Sequence, residues 1–259
     1  MIITTGEHES PRTVARAQAL ARESGAAYAR RSGRSLNELR SRYEDNDVLI
    51  ILENGVRLAG AAGNPMEFHP SMSYVRAKRL LKGEKDSMLE AACAVPGDLI
   101  VDCTAGLGAD SIMFALGAGG KGKVIALESS FPLYLLLREG LQTYQSGIPE
   151  FNKALQRIEA RHTEHLEGLR SMPDKSADIV YFDPMFRDPT LESSSLSPLR
   201  SYANAAPLRQ EAIAEARRVA RKTVVLKEKR DSGEFERLGF ETPARSRSKI
   251  TYGVMHLDR

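Results

Sequence analysis

The chain has 259 residues, of which 42% are hydrophobic and 27% are charged, and its formal net charge is +3. This composition is typical of an ordinary globular protein, and the length allows one large domain or a small domain joined to a medium one. No apolar run is long enough to span a bilayer, and the first residues lack the segments of a signal peptide. Cys93 and Cys103 lie in different predicted elements, which favours reduced thiols and a cytoplasmic location.

Residues 1–65 are predicted to form a small α/β domain. Ser10 followed by Pro11 is typical of a helix start, and Ser35 with Glu38 three residues later is typical of a capping box. Asn54-Gly55 between two apolar runs predicts a tight hairpin. The predicted elements are a strand at 1–5, a helix at 11–23, a short strand at 26–29, a helix after Ser35, and strands at 48–52 and 56–59.

This first unit is rich in arginine and contains no lysine. One interpretation is a set of solvated helix faces that nearby glutamates partly balance. The other is a surface that contacts RNA, because arginine forks match the geometry of phosphate groups. The arginines concerned are Arg12, Arg16, Arg22, Arg30, Arg31, Arg34, Arg40 and Arg42.

Residues 60–65 are turn-rich, and residues 66–259 are predicted to form a second domain. In its first helix we expect Val75, Leu80 and Leu81 to face inward and Arg76 and Arg79 outward. From Leu99 onward strands and helices alternate, which predicts a doubly wound, mainly parallel sheet. The predicted strands are 99–101, 124–127, 158–160, 177–182 and 223–226, and 240–244 with 250–257 are predicted to form a C-terminal antiparallel hairpin.

The first of these strands runs into a glycine-rich turn. Asp102 and Thr104 place polar atoms at the carboxyl end of the strand, and Gly106 and Gly108 allow a tight turn close to a ligand. A strand, such a turn and a helix N-terminus form a nucleotide-shaped site. Glu128, 20 residues after Gly108, ends the next strand and is placed to accept ribose hydroxyls; the alternative is a surface glutamate.

These two features alone fit both NAD and S-adenosylmethionine. The turn lacks the third glycine of the dinucleotide fingerprint, which disfavours a dehydrogenase. A third strand ends in Asp183-Pro184-Met185-Phe186. Its carboxylate and carbonyl groups can accept hydrogen bonds from the exocyclic amine of a base, and Phe186 can stack on the base. The alternative is a turn that merely terminates the strand.

The segments 102–110 (Asp-Cys-Thr-Ala-Gly-Leu-Gly-Ala-Asp) and 181–186 (Tyr-Phe-Asp-Pro-Met-Phe) together resemble class I S-adenosylmethionine-dependent methyltransferases. More narrowly, they resemble the RsmJ family of 16S ribosomal RNA guanine-N2 methyltransferases, and the similarity covers roughly residues 95–257. The resemblance implies a Rossmann-like fold and S-adenosyl-L-methionine as cofactor. It also implies transfer of a methyl group to the N2 amine of a guanine in the small ribosomal subunit.

Roles for individual residues follow from the strand ends, from the basic clusters and from the resemblance. We expect Asp183, Pro184 and Phe186 to be catalytic, and Met185, Phe186, Lys227, Arg76 and Arg79 to contact the substrate. The expected cofactor contacts are Asp102, Thr104, Gly106, Gly108, Ala109, Asp110, Glu128, Ser129, Glu164, His165 and Asp183. Further RNA contacts are expected from Lys78, Arg245, Arg247 and Lys249.

The chain departs from the RsmJ pattern at several positions, which indicates a distant branch. Ala109 stands where the family has arginine, Glu164-His165 where it has two serines, and residues 228–230 where it has Arg-Pro. The first 65 residues are also unlike the family. A methyltransferase of another RNA, a protein or a small molecule, or a noncatalytic RNA-binding protein, therefore remains an alternative.

No metal site is predicted from this sequence. His162 and His165 have a spacing that metal ligands can use, but no cysteine or carboxylate cluster completes the set. Cys103 is interpreted as a small core residue rather than a nucleophile. The sequence does not indicate an oligomeric state.

Overall fold

The computed structural model describes residues 1–61, 65–184, 202, 206–242 and 248–257. Its strands form two sheets, one of five strands and one of six. The first sheet contains β1 (Ile2–Thr5), β2 (Ala27–Tyr28), β3 (Val48–Leu52), β4 (Gly55–Ala59) and β5 (Met66–Glu67), with helices α1 (Pro11–Ser24) and α2 (Leu36–Tyr43).

The strand order of the first sheet is β2-β1-β3-β4-β5. β1 runs parallel to β2 and β3, whereas β3, β4 and β5 are antiparallel neighbours. Both predicted helix starts are confirmed, because Ser10 and Ser35 each form a capping box with the third helical residue. The hairpin at Asn54-Gly55 is confirmed as well. β5 lies beyond residue 65, and the division into two domains stays a prediction.

The second sheet has the order β11-β10-β9-β6-β7-β8, and all its neighbours are parallel except the pair β10 and β11. This confirms the predicted doubly wound sheet. The strands are β6 (Leu99–Asp102), β7 (Lys123–Glu128), β8 (Ile158–His162), β9 (Ala177–Phe182), β10 (Ala220–Lys229) and β11 (Ile250–His256). The helices are α3 (Ser71–Leu81), α4 (Ser87–Ala91), α5 (Ala109–Gly117), α6 (Phe131–Thr143), α7 (Pro149–Leu155), α8 (His165–Arg170), α9 (Gln210–Val219) and α10 (Glu234–Leu238).

Two features of these elements were not predicted. β11 pairs along its length with β10, and of residues 240–242 Glu241 forms an isolated bridge with Val254; residues 243–247 lie outside the described part. The predicted antiparallel pairing is thus present at this bridge, and β11 has a second and longer antiparallel partner in β10. The short helix α7 was not predicted, since its seven residues show too little apolar periodicity.

The predicted orientation of α3 is wrong for Val75, Leu81 and Arg76, whereas Leu80 packs against the core and Arg79 is exposed as predicted. Val75 and Leu81 are 51% and 45% exposed, whereas Ser73 and Ala77 are fully buried. Small side chains on the inner face let α3 approach α5 closely. Arg76 points toward the protein interior instead of the solvent, because its guanidinium pairs there with the carboxylates of Asp86 and Asp110.

Helix α6 joins the two sheets. It packs against β4 and β3 on one side and against β7 and β8 on the other. One continuous cluster of buried side chains includes Leu49 and Leu58 from the first sheet and Leu133 and Leu137 from α6. At the closest point Gly140 meets Phe68, and a Cβ atom on Gly140 would lie 2.0 Å from the Phe68 ring.

We therefore expect Gly140→Ala to destabilise the protein by roughly 1–3 kcal/mol, because overpacking a buried contact forces side chains and backbone to shift. Thermal unfolding followed by circular dichroism measures this loss. Gly147→Ala is the matched control, since a Cβ atom there meets nothing within 4 Å. Equal melting temperatures for the two variants would contradict this account of the α6 contact.

Candidate active site

Four neighbouring strands of the second sheet end in polar side chains at one edge. Asp102 ends β6, Glu128 ends β7, Asp183 follows β9, and Lys227 lies near the end of β10. Because these strands are parallel and adjacent, their carboxyl ends meet, and this edge is where open α/β sheets bind ligands. The structure thus brings together strand ends that are far apart in sequence.

The glycine turn after β6 is held by Glu128. Its buried carboxylate accepts the backbone N–H of Gly106 at 2.9 Å and that of Ser130 at 2.7 Å. Burial raises the pKa of Glu128. Gly106 has φ +53°, and a Cβ atom on it would meet nothing within 4 Å. The turn therefore leaves open space next to a buried carboxylate, as a cradle for a nucleoside requires.

Gly108 and Ala109 begin the helix after this turn. Gly108 is the N-cap of α5 with φ +77°, and a Cβ atom on it would lie 2.7 Å from Leu137. Conformation and space both require glycine at this position. Ala109, where the RsmJ pattern has arginine, is the first residue of α5.

Asp102 and Thr104 link β6 to its neighbours. The buried Asp102 carboxylate accepts hydrogen bonds from the Ser111 hydroxyl and, at 3.1 Å, from the Thr104 N–H. Burial raises the pKa of Asp102 to about 7. The Thr104 hydroxyl accepts the N–H of Asp183 at 2.6 Å, which fixes the backbone at the end of β9 relative to the glycine turn.

Lys227 bridges two carboxylates. Its Nζ lies 2.8 Å from Asp110 Oδ2 and 2.7 Å from Asp183 Oδ2, and the Tyr181 hydroxyl donates to Asp110 Oδ2 at 2.6 Å. Burial tends to raise the pKa of Asp110, but the charges of Lys227 and Arg76 outweigh it and lower that pKa to about 2. Burial and the nearby Asp110 charge raise the pKa of Asp183 to about 6, although Lys227 opposes them.

Arg76 reaches this cluster from α3. Its guanidinium bonds Asp86 through Nε and Nη2, each at 2.9 Å, and Asp110 through Nη1 at 2.5 Å. It is therefore part of an internal ion network rather than an outward-facing cation. Arg79, one turn later, is exposed and pairs with Glu84 at 2.7 Å.

A cleft of about 1220 Å³ opens beside Lys227, between the helices α3 and α4 and the strand β11. Arg79 and Lys85 lie on its helical wall, and Tyr252 and Ile250 on its strand wall. Lys227 lines this cleft and also contacts Asp183. Lys227 therefore lies between this cleft and the carboxylate of Asp183 at the end of β9.

The remaining predicted cofactor residues lie at the ends of β7 and β8. Glu164 is the N-cap of α8, where its carboxylate accepts the Leu166 N–H at 2.8 Å, and it pairs with His165 at 3.0 Å. Burial lowers the pKa of His165, whose ring lies edge-on to Phe182 at 5.9 Å. The carbonyl of Ser129 lies 3.1 Å from Nε2 of His162.

Pro184 is the last described residue of its segment, and Met185, Phe186, Arg245 and Arg247 lie outside the described part of the chain. Among the residues that the structure describes, no group of three or more His, Cys, Asp or Glu is placed to hold a metal ion. No helix in this described part is long and apolar enough to cross a membrane.

Comparison with known proteins decides the family. The model of a family described as "Putative SAM-dependent methyltransferase" matches residues 38–236, which is most of the chain. The chain belongs to this family. The predicted S-adenosylmethionine-dependent methyltransferase activity and the cofactor S-adenosylmethionine are thereby confirmed at the level of the class.

The relatives of this chain differ in the share of its length that they match. The protein named "Uncharacterized protein YpiP" from Bacillus subtilis is 37% identical over 254 residues, covering 98% of both chains. "Ribosomal RNA small subunit methyltransferase J" from Psychrobacter arcticus is 25% identical over 58% of this chain and 49% of the relative, and that from Acinetobacter baumannii 29% over 58% and 53%. The chain thus matches about half the length of these methyltransferase J relatives.

A crystal structure of a SAM-dependent methyltransferase from Neisseria gonorrhoeae superimposes with a TM-score of 0.66. It covers 99% of this chain and 96% of the other, at 19% sequence identity. This likeness confirms the Rossmann-like methyltransferase fold.

Proposed function

We propose that this methyltransferase modifies the exocyclic amine of a base in RNA, and specifically the N2 amine of a guanine in small-subunit ribosomal RNA. The observation that carries the proposal is the end of β9, where Asp183 and Pro184 present acceptors beside Lys227. The names of the methyltransferase J relatives support ribosomal RNA as the substrate class.

The glycine turn and Glu128 are the residues that would hold the cofactor. The space above Gly106 and the buried carboxylate of Glu128 fit a nucleoside whose ribose hydroxyls donate hydrogen bonds. When bound, S-adenosylmethionine supplies a methyl group on an electrophilic sulfonium. The remaining task of the protein is to hold the acceptor amine in line at near-attack distance.

Asp183 is the acceptor that we propose for the amine of the base. Its backbone is fixed by Thr104, and its carboxylate is fixed by Lys227 at 2.7 Å. Pro184 has no N–H, so it cannot donate a hydrogen bond to a carbonyl of this turn, and those carbonyls stay available to the base. Hydrogen bonds from the base NH₂ to these oxygens draw the nitrogen lone pair out of conjugation with the ring, which favours attack on a methyl group.

The cleft beside Lys227 is the proposed route for the RNA. Arg79 lies on its wall, where an exposed guanidinium can exchange Glu84 for a phosphate. Arg76 is not part of this proposed RNA surface, because its guanidinium is already paired with Asp86 and Asp110 inside the protein.

Nucleoside mass spectrometry of ribosomal RNA from a strain that lacks the gene tests the proposal. We expect one N2-methylguanosine to disappear from 16S RNA and to return when the purified enzyme and S-adenosylmethionine are added to the deficient small subunits. Unchanged 16S RNA, with a missing methyl group in another RNA, a protein or a metabolite, would refute the substrate assignment.

Glu128→Gln tests the proposed cofactor site. We expect affinity for S-adenosylhomocysteine to fall about 10- to 150-fold, because a hydrogen bond to a charged group contributes roughly 1.5–3 kcal/mol. Isothermal titration calorimetry measures the change. Glu159→Gln, an exposed pair partner of Arg161 on β8, is the control and should bind as the wild type does. Equal affinities for E128Q and wild type would rule out the ribose contact.

A further inference from the structure

We propose that Arg76 is a positioning residue of the methyl-transfer site, which holds the Asp110 carboxylate and thereby keeps Lys227 against Asp183. The inference rests on the proposed role of Asp183 and adds a residue that does not touch the substrate amine. The chain of contacts runs from Asp86 through Arg76, Asp110 and Lys227 to Asp183, with alternating charges.

Arg76 is itself held in a fixed place. Two parallel hydrogen bonds join its fork to Asp86, and Asp86 is in turn the N-cap of α4, where it accepts the N–H groups of Met88 and Leu89. Such bidentate pairs are specific in geometry as well as strong. The remaining Nη1 of Arg76 is thus presented to Asp110 from a rigid junction of α3 and α4.

The two oxygens of Asp110 have separate partners. Oδ1 accepts Arg76, whereas Oδ2 accepts Lys227 and the Tyr181 hydroxyl. Because Arg76 balances Asp110 on one side, the ammonium of Lys227 can be shared with Asp183 on the other. Without Arg76, the buried Asp110 charge would draw Lys227 toward itself, and Asp183 would lose part of its cationic partner.

The consequence is measurable as a change in the ionisation of Asp183. With less positive charge nearby, its ionised form becomes less favourable, so its pKa should rise above the value of about 6. The titratable and charged groups that interact directly with Asp183 or Lys227 include Asp102 of β6, Asp110 of α5, Tyr181 of β9 and Tyr252 of β11. Arg76 of α3 interacts with Asp110 and Tyr252, and Asp86 before α4 interacts with Arg76 and Tyr252.

A substrate-free titration tests this. The full-length protein is labelled with ¹³C at the aspartate carboxyl carbons, the Asp183 signal is assigned with D183N, and NMR spectra are recorded from pH 4 to pH 9. We expect the Asp183 midpoint in Arg76→Gln to rise by roughly 0.5–1 pH unit. Arg76→Lys, which keeps the charge but not the fork, should give a smaller rise. Arg57→Gln, which breaks an exposed pair with Glu67, should leave the midpoint unchanged.

A second variant keeps the inference testable if R76Q does not fold. Asp86→Asn removes the anchor of Arg76, while its amide oxygen can still cap α4. If R76Q does not fold, D86N decides: a raised midpoint supports the inference, and an unchanged midpoint overturns it. An unchanged midpoint in a folded R76Q overturns it as well.

Kinetics link the titration to catalysis. Methyl transfer by R76Q should lose kcat at pH 6 and regain most of it at pH 8, with KM for S-adenosylmethionine nearly unchanged. A deficit that is equal at both pH values would overturn the positioning role. If the wild type methylates no RNA, the proposed function fails, but the NMR titration still decides whether Arg76 controls Asp183.

Discussion

Replacing Asp183 by alanine is expected to lower the rate of methyl transfer by roughly 10²- to 10⁴-fold, because the group that we propose as the acceptor for the amine of the base is lost. Affinity for S-adenosylhomocysteine should change little by comparison, since the glycine turn and Glu128 remain intact. Single-turnover transfer of a labelled methyl group to deficient small subunits measures the rate, and calorimetry measures the binding.

Asp183→Asn separates the two roles that a carboxylate can have here. If Asp183 serves as a hydrogen-bond acceptor, the amide oxygen of asparagine should restore part of the rate, and the order should be wild type, D183N, D183A. If Asp183 instead removes the proton, D183N should be as slow as D183A. Wild-type rates in both variants would remove Asp183 from the mechanism.

The carboxyl edge of the sheet was predictable from sequence because each strand ends abruptly in a polar residue. Buried β-branched runs precede Asp102, Glu128 and Asp183, and parallel topology then brings their ends together. The glycine turn was predictable for a similar local reason, since Gly106 and Gly108 adopt positive φ as expected. Local pattern and topology therefore sufficed to locate the candidate site.

The partner of each charged side chain was not predictable in the same way. Helical periodicity in α3 favours burial of Val75 and Leu81, yet the fold buries Ala77 and half-buries Arg76. The carboxylates that make this possible lie on other elements, so no local pattern reveals them. Tertiary contacts decide which face of a helix is buried when both faces can make favourable contacts.

The contacts of Asp110 differ from those that its place in the sequence suggests. Its place after the glycine turn suggests a cofactor contact, but in the structure its carboxylate accepts Arg76, Lys227 and Tyr181. Asp110 therefore connects the glycine turn to the end of β10, on the side where we propose that the RNA base binds. A residue that follows the glycine turn in sequence can thus contact the substrate side of the proposed site instead of the cofactor side.

Lys227→Met is expected to have the largest effect on stability. Methionine fills a similar volume but leaves Asp110 and Asp183 facing each other without the shared ammonium. Removing one partner of a buried charge network typically costs about 3–5 kcal/mol. Methyl transfer should be lost as well, because the Asp183 carboxylate loses the group that orients it.

The pH dependence of this loss has a definite sign. In K227M the pKa of Asp183 should rise further above about 6, while in the unfolded chain it stays near its ordinary value of about 3.9. A carboxyl whose pKa is raised by folding contributes stability at low pH and loses it as pH rises through the folded pKa. The loss of stability in K227M should therefore be smallest near pH 5 and largest near pH 8.

Urea unfolding at both pH values measures this loss. Lys85→Met, which breaks an exposed pair with Glu90, is the control and should stay close to wild type. A deficit independent of pH would show that Lys227 stabilises the fold by packing rather than by its charge.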